Sequence, residues 1–532
     1  MNEIKILVSD DVKESGLEPL RAAGFAVEKR TGLAPEELRE IVRDYDALIV
    51  RSETKVTAVL MDEAVRLRAI GRAGVGVDNI DVAAATARGI VVMNAPDGNT
   101  ITTAEHTIAL LTALARRVPQ ANQSLRAGRW ERKRFVGVEL QGKTLGIVGL
   151  GRIGRVVAAR ARGLGLNVVA YDPFVAPENA CDLEIEIAPL NEVFARADFL
   201  TVHTPLTPET RGLIGREAFA KMKDGVRVIN CARGGLIDEA ALFAAIKSGK
   251  VAGAALDVFE EEPPPPDHPL LMLEEVIATP HLGASTTEAQ EGVAVTVAEQ
   301  LRDYFLTGAL RGAVNLPAIS AQQLSALQPY LALAESLGRF HAQLLDEATT
   351  EVRLEYAGEL ALLDAAPVTR AFVAGLLRQV SARVNLVNAF LIAEERGIGV
   401  TVSYKRAGVA GGAINKIHTR VIAASGSEQT IAGALFGAQS EGRITEINGF
   451  RLEAIPRGQL LITRNKDVPG VVGRIGTALG QGGINISSFH LGRQERGGEA
   501  MALIETDAAA DRDTLDSLRA FDEILYARAI NL

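Results

Sequence analysis

Cysteine and tryptophan are nearly absent: the chain carries two cysteines, Cys181 and Cys231, and one tryptophan, Trp130, in 532 residues. Two thiols cannot build a disulfide framework, and neither stands in a metal-ligand spacing. No metal centre is therefore expected, and a reducing cytoplasm is the simplest setting. Uninterrupted apolar runs of roughly 20 residues are also missing, which argues against a transmembrane helix. The opening MNEIKILVSD passes straight into a strand-like run without the apolar core of a signal peptide. Basic charge is in deficit, with 57 Lys and Arg against 66 Asp and Glu, a net of −9. That balance disfavours nucleic acid or an anionic membrane as a general partner but leaves room for a local basic pocket. Low complexity is confined to Pro263–Pro266, read as a stiff extended loop.

What is present is a long chain, 47% apolar. Its length exceeds what one core supports, so three or four domains are expected. Up to about residue 316, short β-branched runs alternate with amphipathic stretches, the pattern of parallel sheets with crossover helices. Strands are predicted at residues 4–8, 47–50, 144–148, 168–171, 199–202, 227–230 and 276–278, enough for two sheets. Thr102 with Glu105 reads as a capping box for a helix over 104–115 that links two lobes across a boundary near Gly98. A second helix, over 288–304, is expected to return the chain to the first lobe. Residues 318–345 read as helix. The stretch to Pro456 mixes strands with turns such as Gly411-Gly412 and Asn448-Gly449, and from Gln459 a strand, a loop, a helix opened by Pro469 and two further strands suggest a small α+β module.

The most specific local motif is Gly149-Leu150-Gly151-Arg152-Ile153-Gly154, which follows an apolar strand and precedes a helix over 155–162. Gly149 permits the tight turn, Gly151 lets a pyrophosphate approach the backbone, and Gly154 lets the helix pack on the sheet. The helix N-terminus attracts phosphate. Asp172 ends the next strand 23 positions beyond Gly149, close to the spacing of a ribose-binding acid. Its charge would repel a 2′-phosphate, so NAD is favoured over NADP.

Three further residues suggest acid–base chemistry beside a nicotinamide. Oxidising a secondary alcohol needs a base for the hydroxyl proton and a cation for the neighbouring carboxylate. His281, just past a strand, suits the first task. Glu262 can hold its ring and favour the imidazolium, and Arg233, just past another strand, can grip a carboxylate with two parallel hydrogen bonds.

The spans GLGRIG, VHTPLTPETRGLI, NCARGGLIDE, ALDVFEEEPP and TPHLGAST together resemble the D-isomer-specific 2-hydroxyacid dehydrogenases over most of the first 315 residues. LIVRSETKVT, GRAGVGVDNID and GRWERKRF narrow the likeness to the phosphoglycerate dehydrogenase branch of that family. The resemblance implies Arg233 as carboxylate anchor, Glu262 as orienting acid and His281 as general base. It also implies a cofactor site that adds Thr204, Cys231, Ala232, Asp257 and Gly283 to the glycine turn, Arg152, Ile153 and Asp172. A phosphorylated hydroxy acid carries about three negative charges, so its pocket needs several cations and donors. Within the matching motifs Arg51, Ser52, Lys55, Arg72 and Arg132 supply them, and Asn99 lies in a cofactor-and-substrate loop.

The implied reaction is NAD-dependent oxidation of 3-phosphoglycerate, opening serine synthesis, with 2-oxoglutarate reduction as a side activity. A dehydrogenase for 2-hydroxyglutarate or glycerate would share the catalytic set without the phosphate cations, and an NAD-sensing corepressor would share only the fold. From Asn465 the tail resembles an ACT domain, whose effector L-serine would meet Asn465, Asp467 and Asn485 across a paired interface. The region before it resembles the intervening domain of the long form, where Lys405, Arg406, Lys416 and Arg420 could receive an anion. The implied architecture is α/β: a flavodoxin-like substrate lobe (1–98 and 285–316) interrupted by a Rossmann NAD lobe (99–284), both doubly wound. An intervening α+β domain (317–457) and a βαββαβ ACT domain (458–532) follow. A homodimer or homotetramer is expected, with Trp130 at a subunit contact.

Overall fold

Four sheets, two of them wholly parallel, organise the computed structural model, which describes residues 3–176, 185–317, 319, 321–381, 383–405, 415–437 and 440–532. Cys181, Arg406 and the Gly411-Gly412 turn fall outside the described residues.

The first lobe is a five-stranded parallel sheet in the order Ala26–Lys29, Lys5–Val8, Ala47–Val50, Ala69–Arg72, Val91–Asn94. Parallel strands are buried on both faces, so they need near-continuous apolar runs, and KILV and ALIV provide them. Leu7, Leu48, Ile70 and Val92 point into one core with the local helices. Ile6, Ile49, Val91 and Met93 point into the other, where the returning helix Thr287–Thr307 supplies Val293, Ala294, Val297 and Leu301. That helix lies hard against the sheet: a Cβ on Gly71 would come within 2.4 Å of Val297 Cγ1.

The second lobe has seven parallel strands in the order Val276–Ala278, Val251–Leu256, Val226–Asn230, Phe199–Val202, Thr144–Val148, Asn167–Tyr171, Glu186–Ile187. Thr144–Val148 lies between Phe199–Val202 and Asn167–Tyr171, so the order reverses at the strand that feeds the glycine turn. This switch point is where open α/β sheets bind ligands. The linking helix runs Thr100–Arg116 with Asn99 as N-cap, which corrects the capping box. Thr102 sits inside the first turn with its hydroxyl 3.3 Å from that of Thr286, and Glu105 is drawn to Arg160 at 2.9 Å. Tertiary contacts have claimed both side chains.

The C-terminal half is α+β. Six strands, Gly399–Lys405, Thr349–Ala357, Lys416–Ala423, Glu428–Phe436, Glu441–Ile447 and Phe450–Ala454, form one sheet, parallel only between the first two. Asn448 and Gly449, with φ of 48° and 83°, turn the last hairpin. Helices Ala321–Leu344 and Ala366–Leu377 cross where Gly338 and Gly375 face each other's backbones. A Cβ on Gly338 would lie 2.1 Å from Phe372 O, and one on Gly375 2.2 Å from Glu335 O. The last module runs β-α-β-β-α-β, with sheet order Ile486–Arg493, Glu499–Thr506, Gln459–Lys466, Ile524–Asn531. Its helix Val471–Gln481 is capped by Gly470, so Pro469 stands just outside it. Leu461, Ala502 and Ile504 pack under the module's own helices, whereas Leu460, Ile462, Leu503 and Ile530 join the core of the preceding module.

Candidate active site

The turn after Thr144–Val148 is shaped for a dinucleotide. Gly149 has φ +98°, a left-handed backbone open to glycine. A Cβ on Gly154 would lie 2.2 Å from Gly149 O, whereas one on Gly151 would meet nothing within 4 Å, which leaves an open cradle before the helix Arg152–Gly163. Asp172 is held by the amides of Leu150 (2.8 Å) and Phe174 (2.9 Å), one on each oxygen. Among the described residues nothing else bonds its side chain, which leaves lone pairs for ribose hydroxyls. Across the turn, Thr204 Oγ1 is buried without a partner. These features fit NAD. Cys231 is buried in the core of the nucleotide lobe, and burial pushes its thiol up to about 12.

A cleft of about 530 Å³ lies between the lobes. Arg233, Glu262 and His281 enter from the nucleotide lobe, Arg51, Ser52 and Arg72 from the other side, and Asn99 from the N-cap of the linking helix between them. Each side chain is placed by its local backbone. Asn230 ends its strand and clasps the next turn, accepting from Ala232 N (3.0 Å) and donating to Arg233 O (2.9 Å). Arg233 Nε reaches Asp78 on the opposite lobe at 3.2 Å.

His281 Nδ1 lies 2.7 Å from Glu262 Oε2. Burial favours the neutral Glu262 acid, but the hydrogen bond and charge of His281 outweigh it and hold the carboxyl below its usual range. An ionised carboxylate only accepts, so Nδ1 carries the shared proton and Nε2 is left as the acceptor. His281 has φ +54°, a left-handed conformation rare for a non-glycine residue. Asp257 over-determines it. This buried carboxylate accepts from Thr279 Oγ1 (2.6 Å), Leu282 N (2.7 Å) and Gly283 N (2.8 Å), and His106 Nε2 lies 3.2 Å away. Burial opposes its ionisation, yet the bonds from His106, Thr279 and Leu282 hold its pKa below the usual value. Asp257 thus fastens the loop that carries His281.

On the other wall the Arg72 guanidinium is largely buried and its Nε has no partner. Burial, then the charges of Arg233 and Arg51, lower its pKa to about 10, so it remains a cation at neutral pH. Arg51 is pinned through its amide to Asp10 at 2.6 Å. Two expected substrate cations lie elsewhere. Lys55 lines a separate hollow with Ser9, Asp10 and Leu33, because Asp10 gathers the amides of Glu53 and Thr54 and turns the chain away from the cleft. Arg132 is exposed on the short helical turn Arg132–Phe135, whose Arg134 is tied to Glu274. Trp130 is 77% exposed.

The expected effector residues do not meet within one chain. Asp467 follows Lys466 at one end of the last sheet, bound by Gly497 N (3.0 Å) and Arg493 (3.1 Å). Asn485 sits at the other end, 2.9 Å from Asp507. Eight-residue strands separate those ends by roughly 25 Å. Asn465 is buried and its Oδ1 is unpartnered.

A family model described as the NAD-binding domain of D-isomer-specific 2-hydroxyacid dehydrogenases matches residues 108–283. The D-3-phosphoglycerate dehydrogenase intervening domain matches 326–448, and the ACT domain 459–523. D-3-phosphoglycerate dehydrogenase of Methanocaldococcus jannaschii is 46% identical over 99% of this chain and 100% of its own length. The Archaeoglobus fulgidus enzyme of that name is 44% identical over 99% and 100%. Among solved structures, D-lactate dehydrogenase from Aquifex aeolicus, complexed with NAD and lactic acid, aligns with a TM-score of 0.52 at 26% identity. It covers 59% of this chain and 100% of that one. TT0316 protein from Thermus thermophilus aligns with a TM-score of 0.54 at 39% identity, over 58% and 100%.

Proposed function

The chain belongs to the D-3-phosphoglycerate dehydrogenase family and oxidises 3-phospho-D-glycerate to 3-phosphohydroxypyruvate with NAD, the first step toward L-serine, and we propose that Arg233, Glu262 and His281 carry out that reaction. The observation that carries this reading is the 2.7 Å pair of His281 and Glu262 in a cleft whose far wall holds Arg51 and Arg72. Arg51, Ser52 and Arg72 bind the substrate phosphate, and Arg233 takes the carboxylate with its planar fork. That grip presents the C2 hydroxyl to His281 Nε2, which accepts the proton, while Glu262 stabilises the resulting imidazolium through Nδ1. NAD, held by the Gly149–Gly154 turn, Asp172 and Thr204, supplies the hydride acceptor. Arg152, Ile153, Ala232, Gly283 and Asn99 complete that wall. Closure of the lobes about Gly98 and Leu282 excludes water and strengthens each of these interactions.

His281→Ala is expected to lower kcat by about a thousandfold while NADH binding, followed by fluorescence titration, stays unchanged. Near-normal turnover would remove His281 as the base.

Around this centre the chain acts as a cytoplasmic homodimer or homotetramer. No described helix is long and apolar enough to cross a membrane, and exposed Trp130 suits a subunit contact. L-Serine regulates through the ACT domain, bridging Asp467 and Asn465 of one copy to Asn485 of another, an arrangement favoured by their placement at opposite sheet ends. Reduction of 2-oxoglutarate in the same cleft accompanies the main reaction.

A further inference from the structure

A second polar cavity, of about 390 Å³, opens where the intervening module meets the first lobe, at the N-terminal ends of strands Ala69–Arg72 and Val91–Asn94. Four arginines line it: Arg68 and Arg88 from the lobe, Arg378 and Arg383 from the module. Among the described residues Asp62 is the only carboxylate in its wall, and Arg88 Nε already holds it at 2.9 Å. Arg378 leans out to Glu335. Arg68 lies over the rings of Tyr304 and Phe305, at 5.8 and 5.1 Å, and makes no ion pair among the described residues. Arg383 likewise has no acidic partner among them. Even with Glu335 counted against Arg378, four cations face two carboxylates in a chain whose net charge is −9.

We infer that this interdomain cavity binds a small phosphate-class oxyanion. Like charges gathered in a shared hollow repel one another unless a counter-charge enters. Planar guanidinium forks match the oxygens of a tetrahedral oxyanion in pairs. The volume suits a small molecule and not a polymer. The walls are also preassembled: Asn385 Nδ2 donates to Gly89 O at 2.8 Å and Asn388 Nδ2 to Ala87 O at 3.4 Å, which holds the module to the lobe. An occupant would bridge the two bodies.

Two elements lead from this cavity to the catalytic cleft. Arg68 immediately precedes the strand Ala69–Arg72, whose last residue lines the cleft. Tyr304 belongs to the helix Thr287–Thr307, whose Ala289 and Gln290 line it as well. Occupancy would therefore stiffen the phosphate-side wall of the active site.

The test is calorimetric titration of the full-length protein with inorganic phosphate against chloride at matched ionic strength. Phosphate also fits the substrate cleft, so the wild type should show two sites. The double variant Arg378→Ala/Arg383→Ala should lose one of them and keep kcat and KM in phosphate-free buffer. Arg51→Ala should weaken the other. Retention of both sites in the double variant, or a single wild-type site that Arg51→Ala alone weakens, would overturn the inference. Should the double variant lose its cooperative melting transition, Arg383→Gln decides, since that side chain has no acidic partner among the described residues to lose. About a tenfold weaker phosphate affinity supports the site, and unchanged affinity rejects it.

Discussion

The catalytic lobes and the last module place their candidate ligand groups differently: the first gather them in one cleft, the second sets them at opposite ends of a sheet. In the N-terminal half the cleft keeps them under-used: Arg72 Nε, Asn99 Oδ1 and Thr204 Oγ1 are buried without partners, and His281 is held in a left-handed backbone. In the last module the corresponding carboxylate is already engaged, Asp467 with Gly497 and Arg493. Unsatisfied buried groups cost free energy that a ligand or a bound water recovers, and in the first half Arg72 and Asn99 turn toward one cleft within a single chain. The last module also buries an unpartnered oxygen, Asn465 Oδ1, but sets Asp467 and Asn485 at opposite sheet ends, so one chain does not gather them.

That contrast can be tested first at Arg233. Arg233→Ala should lower kcat/KM by two or more orders of magnitude, because truncating a paired cation in a desolvated site costs roughly 2–5 kcal/mol. Its thermal unfolding should barely move, since Arg233 is no part of the core. Loss of stability in parallel with activity would blur the distinction.

A pH effect separates the halves next. The Asp257 pKa is held below the usual carboxylate value by the bonds from His106, Thr279 and Leu282, which outweigh burial. A depressed folded value means that the stabilisation is present above the unfolded value and is lost as pH falls through the folded one. The protection of the Leu282 and Gly283 amides, exchange measured against the intrinsic rate at each pH, should therefore stay high through neutral pH and fall only below the ordinary carboxylate range. Asp257→Asn should speed exchange by about tenfold at neutral pH, equivalent to one or two buried hydrogen bonds.

The converse experiment lies in the helix crossing. Gly338→Ala puts a methyl against Phe372 O and should cost about 1–3 kcal/mol by overpacking. The change should appear as a shift in melting temperature, with kcat preserved. The smallest effect belongs to Asn485→Ala. Basal turnover should stay within about twofold, as for exposed substitutions away from the chemistry, while any response to L-serine disappears.

How much of this was readable beforehand follows the same division. Strands 47–50, 144–148, 199–202 and 276–278 match the structure because their apolar runs end at sharp turn signals. Strand Ala69–Arg72 is not legible in the sequence: AIGR is short and runs directly into glycine-rich sequence. Arg233, Glu262 and His281 were legible through their motifs, whereas Asp78, His106 and Thr279 act only through contacts far apart in sequence. Asn230 could have been found, since an asparagine closing a strand before a turn is a local hydrogen-bonding signal. Lys55 and Arg132 show the limit of charge and spacing: neither tells which side of a loop a cation will leave from. Asn465, Asp467 and Asn485 were readable as a set but not as a place, because one chain does not bring them together.

Asp78 has a bearing on how tightly the substrate can be held. Its carboxylate reaches across from the first lobe to Arg233 Nε at 3.2 Å, the partner expected for an incoming hydroxy acid. On the proposed role of Arg233, docking is an exchange of one anion for another, and the gain is only the difference between them. Removing the resident competitor with Asp78→Asn would make capture tighter and departure slower. An enzyme whose product must leave on every cycle is served by a grip that has somewhere else to go.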